Sequence, residues 1–63
     1  MTELERLYQN MADTLEQGVT DLEKFEDGNM SAGTRVRKNM QTVKDLAQKT
    51  RVLVQEQKNA VPA

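Results

Sequence analysis

In the first half of the chain Leu4, Tyr8, Met11, Leu15, Gly18, Leu22 and Phe25 follow one another at intervals of four and three residues, with polar side chains between them. A seven-residue repeat of this kind predicts an amphipathic α-helix with one apolar seam. The second half repeats the spacing with Gly33, Val36, Met40, Val43, Ala47, Thr50 and Val54. No window alternates with period two over the length of a strand, so no sheet is expected and the fold class is all-α. Thr2 is placed to cap the first helix, with Glu3 and Glu5 well placed against its dipole. Between the helices stands Asp27-Gly28-Asn29. Glycine accepts the left-handed backbone that commonly ends a helix, and asparagine is among the best residues for starting the next.

The expectation is a single domain over 1–63, an antiparallel two-helix hairpin. Its helices span about 3–27 and about 30–58, with the turn at 28–29 and fraying over 59–63. Folding about the turn brings together residues whose numbers sum to about 57. Phe25 then meets Gly33, Gly18 meets Met40, and Leu15 meets Val43, so that each glycine faces a large side chain. A two-row seam leaves flanks uncovered, and Leu7, Leu46 and Leu53 share one of them near the open end. These three are the expected oligomer interface, dimerising the hairpin into a four-helix bundle. An elongated coiled coil with another protein satisfies the same pattern.

Size and composition support association. Sixty-three residues with 37% hydrophobic content and only two aromatics, Tyr8 and Phe25, give one chain little core. With neither cysteine nor histidine, disulfides, thiolate zinc sites, thiol nucleophiles and imidazole catalysis are all excluded. No apolar run approaches the roughly 18 residues of a membrane span, and Glu3 and Glu5 make the N-terminus acidic where a signal peptide is basic. A cytoplasmic protein with no membrane partner is expected.

The GNMSAGT corner has two glycines five apart, as in a phosphate-binding loop. It lacks the required lysine, since Thr34 and Arg35 follow Gly33, and a helix rather than a strand precedes it. Carboxylate pairs such as Glu23 and Asp27 lie at helical spacing without a pocket to separate their pKa values. No catalytic, cofactor-binding or metal-binding residues and no small-molecule substrate are therefore expected, and the chain does not read as an enzyme.

Charge supplies the candidate chemistry. The net charge of −1 divides into −6 over residues 1–30 and +5 over 31–63. Arg37, Lys44, Arg51 and Lys58 recur every seven residues, a row about 30 Å long on a helix. Arg35 and Lys38 extend it at the helix start, where backbone amides add partial positive charge. Spaced cations of this kind suit the phosphates of double-stranded DNA, or of RNA, and need no base readout. The same residues suit a solvated face, or pairing with the acidic helix as in Glu5 with Arg51.

The run Gly28-Asn29-Met30-Ser31-Ala32-Gly33-Thr34-Arg35-Val36-Arg37-Lys38-Asn39-Met40-Gln41, continued by Lys44, Leu46-Ala47-Gln48, Arg51 and Val54-Gln55, resembles the bacterial histone H1-like proteins. This group contains the chlamydial nucleoid-condensing histones and short homologues in other bacteria. The resemblance implies a nucleoid-associated DNA-binding protein with a helical hairpin core, and points to Arg35, Arg37, Lys38, Lys44 and Arg51 as matching basic positions. The chlamydial proteins add a lysine-rich tail. This sequence reads as a short form without one, for which the hairpin itself carries the function. A helical oligomerisation module that binds no nucleic acid is the competing expectation.

Overall fold

The structure, a computed structural model, describes residues 1–60. It consists of α1 (Glu3–Glu26) and α2 (Met30–Ala60), packed side by side. Helix α1 starts as its sequence predicts. The Thr2 hydroxyl accepts the Glu5 amide at 3.1 Å, and the Glu5 carboxylate accepts the Thr2 amide at 3.0 Å. These reciprocal bonds satisfy two otherwise orphaned donors. They also hold the Glu5 carboxyl below its ordinary value, the backbone bond contributing most. A depressed folded pKa stabilises the fold at pH values above the unfolded pKa, and that contribution is lost as pH falls through the folded value. Thr2→Ala removes the hydroxyl that accepts the Glu5 amide and should lower stability by about 1 kcal/mol. Glu5→Ala removes the titrating carboxylate instead, so its melting temperature should converge on that of the unaltered chain as the pH is lowered through the carboxylate range.

Helix α1 ends in a paired-bond cap. The Gly28 amide bonds the Phe25 carbonyl at 3.0 Å, and the Asn29 amide bonds the Lys24 carbonyl at 2.9 Å. This closure needs a left-handed residue between them, and Gly28 supplies it with φ of 103°. The Asn29 side chain then accepts the Ala32 amide at 3.2 Å and opens α2. Asn59 and Ala60, expected to fray, are helical. Val61 to Ala63, the rest of that expectation, lie outside the described residues.

The hairpin register follows the expected pairing, but the helices are rotated relative to the expected seam. Leu4, Leu7, Met11, Thr14, Gly18 and Asp21 of α1 are buried or half-buried. So are Ala32, Val36, Asn39, Val43, Leu46, Thr50 and Leu53 of α2. Tyr8, Leu15, Leu22, Met40 and Val54, read from the sequence as seam residues, are 67, 48, 44, 45 and 40% exposed. The reason is that each helix carries three adjoining rows of apolar or small residues, a stripe about 100° wide, while one helix-to-helix contact uses two. Small residues decide which two. Ala32 is fully buried, and Phe25 lies over Gly33, where an added Cβ would come 2.7 Å from the ring. Gly18 receives Asn39 rather than the expected Met40, with an added Cβ 2.7 Å from the Asn39 Cγ.

The chosen seam is partly polar, and its polar groups are satisfied. The Asn39 amide donates to the Thr14 carbonyl at 2.6 Å, and the Thr50 hydroxyl to the Leu46 carbonyl at 2.8 Å. Among the described residues no buried side-chain N or O lacks a partner. A polar side chain inside a two-helix seam penalises slipped registers more than it stabilises the right one. The rotation also changes the place of the leucines expected to meet a second chain. Leu7, 7% exposed, is buried against its own hairpin, and Leu46 and Leu53 are half-buried on the same seam rows.

Candidate nucleic-acid interface

A residue seven positions on lies almost directly above its predecessor on a helix of 3.6 residues per turn. Arg37, Lys44, Arg51 and Lys58 thus form one row, about 100° around α2 from the Val36–Val43–Thr50 seam row, and all four are exposed. At 1.5 Å per residue the row runs about 32 Å. The next row around holds Gln41, Gln48 and Gln55, while the two acids of α2, Asp45 and Glu56, lie farther around the helix. Basic and amide side chains therefore share a face, which Asp45 borders on the far side by accepting from the Gln41 amide at 3.2 Å.

Arg35 and Lys38 do not extend this row. Two residues before Arg37, Arg35 lies about 200° around the helix, and Lys38 lies about 100° beyond Arg37 in the other sense. Arg35 is also occupied, its Nε donating to Asp21 Oδ1 at 2.8 Å with Asp21 partly shielded. That ion pair joins the helices near the turn and was not expected from the sequence. The Glu5–Arg51 pair that the sequence allows does not form, because Glu5 is engaged by Thr2. Besides Arg35–Asp21, the described residues contain one further ion pair, Arg6 with Glu3 at 4.0 Å on the surface of α1. Arg37, Lys38, Lys44, Arg51 and Lys58 make none. The acidic helix thus does not neutralise the basic row, although it lies alongside.

Other chemistry is sparse. Among the described residues no cluster of three or more histidine, cysteine, aspartate or glutamate side chains could hold a metal ion. No described helix is long and apolar enough to cross a membrane. The feature that sequence reasoning placed in the core is the outer apolar face, the Tyr8–Leu15–Leu22 and Met40–Ala47–Val54 rows. Counting three apolar rows on each helix against one two-row seam would have exposed it.

The family model described as histone H1-like protein Hc1 matches residues 5–60. No curated protein and no solved structure matches the chain. The matched span takes in α1 from its capping glutamate, the Gly28 turn and the whole of α2 with its basic row. The chain belongs to the histone H1-like Hc1 family, a family of non-enzymatic, nucleoid-associated DNA-binding proteins.

Proposed function

We propose that this chain binds double-stranded DNA without sequence preference, through phosphate contacts from Arg37, Lys44, Arg51 and Lys58. Lys38 adds a fifth contact at the edge, while Arg35, about 200° from the row and paired with Asp21, contributes only through the electrostatic field at the start of α2. The observation that carries the reading is the unpaired row, four exposed cations along about 32 Å, none of them in an ion pair among the described residues. Phosphates recur along duplex DNA at short intervals, so such a row meets several at once and releases their condensed counterions. No aromatic side chain interleaves the row, which leaves base stacking out of the mechanism. Self-association into a homodimer raises the number of rows available to the nucleoid without any new contact type.

The experiment is an anisotropy titration with two duplexes of unrelated sequence, beside a single strand and an RNA duplex. Equal affinity for the two DNA duplexes supports phosphate reading, and a preference above about tenfold between them requires base contacts. Asp21→Asn offers a complementary check. Freeing Arg35 and removing an adjacent negative charge should raise DNA affinity a few-fold at low salt, and the gain should vanish at high salt.

A further inference from the structure

The intrachain seam leaves the more apolar side of the hairpin outside. Its inner rows include Thr14, Asp21, Asn39 and Thr50, while the outer rows carry Tyr8, Leu15, Leu22, Met40 and Val54, all at least 40% exposed. Val19 and Phe25 enlarge the same face, at 48 and 41% exposure. The two helices contribute jointly, since one groove is lined by Leu15, Val19 and Leu22 of α1 together with Val36 and Met40 of α2. A second groove toward the turn includes Phe25 and Met30 and is bordered by Arg37. The whole chain exposes 5108 Å², where a compact protein of this mass exposes about 4,100 Å². The excess is on the order of one face of the molecule.

We infer that a second copy of this chain covers this face, with the two turns at the same end of the assembly. The inference deepens the self-association proposed above by naming its surface and orientation. Area allows it. The two-helix part of the hairpin is about 36 Å long, the length of α1, and 19 Å wide, about 700 Å² in projection, close to the roughly 800 Å² each partner buries in a standard interface.

Charge selects both the occupant and the orientation. Two hairpins can meet face to face about a two-fold axis in two ways. With the axis along the helices, α1 of one copy lies on α2 of the other and the turns coincide at one end. With the axis across them, each helix lies on its own copy and the turns are at opposite ends. Helix α1 carries seven acids and two bases, and α2 seven bases and two acids. The crosswise arrangement stacks like charges on both sides, and like-charge juxtaposition across an interface is strongly disfavoured. The lengthwise arrangement sets Glu16 and Glu23 along the rim of α1 beside Arg37 and Lys44 of the second copy. It also places the two basic rows on opposite edges of the bundle. Such rim pairs remain solvent-exposed and individually weak, so DNA phosphate can replace the carboxylates.

Sedimentation and pulsed electron–electron spectroscopy test this. At tens of micromolar the unaltered chain is expected to sediment with twice the mass of one chain. Leu15→Lys combined with Leu22→Lys should halve that mass while the helical circular dichroism persists, because both side chains are exposed in the single hairpin. The chain has no native cysteine, so Asp27→Cys carries one spin label at the turn. Coincident turns give a label separation of about 20 to 30 Å, and opposed turns about 40 Å or more, given the length of α1. A monomeric unaltered chain, a dimer that survives the double lysine variant, or the long separation each overturns the inference. The double variant leaves the basic row intact, so its DNA titration reports on the proposed function separately.

Discussion

Leu7→Ala is expected to leave little folded protein at 37 °C. Among the described residues Leu7, 7% exposed, is the one large apolar side chain that is buried, and it packs near the open end where Leu53 lines the same groove. Truncating a buried leucine costs about 2–5 kcal/mol, the removed transfer energy plus the cavity left behind. A domain of this size has only about 3–9 kcal/mol of total stability. The substitution therefore consumes most or all of it. Leu15→Ala serves as the contrast, because its side chain is 48% exposed in the single hairpin. Its loss should come through the dimer and shrink on dilution, whereas that of Leu7→Ala persists at the lowest concentration measurable. Urea or thermal unfolding followed by circular dichroism at several concentrations checks both. Equal effects of the two substitutions at high dilution would contradict the observed seam.

The second large effect concerns DNA. Replacing Arg37, Lys44, Arg51 and Lys58 together by glutamine should lower affinity for duplex DNA by roughly 100-fold or more at 50 mM salt, and should reduce the salt slope by about 3.5, at about 0.9 for each phosphate contact removed. Glutamine is a good helix former, and all four positions are exposed, so the helical signal should be unchanged. Lysine in place of the two arginines should instead retain most of the binding, because a phosphate row asks for charge more than for a fixed fork. Anisotropy titrations of the three proteins at matched salt decide the matter. A glutamine variant that binds as tightly as the unaltered chain would place the DNA surface elsewhere.

The start of α1 and the turn were legible in the sequence because they depend on nearby residues, whereas α2 continues through Asn59 and Ala60, where fraying was expected. Thr2 with Glu5, Gly28 and Asn29 each act within a few positions, and their roles follow from local hydrogen bonding. The pairing register was legible for the same reason, as a short turn leaves the chain little choice. Phe25 over Gly33 is its clearest outcome. The rotation of the seam was not legible. Among three usable rows on each helix, the choice rests on how closely Gly18, Ala32 and Gly33 let the backbones approach, and on Asn39 finding the Thr14 carbonyl across the seam. Hydrophobicity alone favours the outer rows, which the hairpin leaves exposed.

The candidate site divides in the same manner. A row with a seven-residue period survives any rotation of the helix, so Arg37, Lys44, Arg51 and Lys58 could be grouped from spacing alone. Arg35 could not be assigned in this way. Its partner Asp21 is 14 positions distant, and only the packed hairpin brings them together. Glu5 illustrates the opposite error, a plausible long-range partner for Arg51 that a local cap had already engaged.

The most direct measurement is the salt dependence of duplex DNA binding by the unaltered chain, from 25 to about 300 mM monovalent salt. Four or five free cations meeting phosphate predict log affinity falling linearly with log salt at a slope of about −4. A slope near zero, or no binding at the lowest salt, would contradict the claim that the cations of α2 stand free for a polyanion.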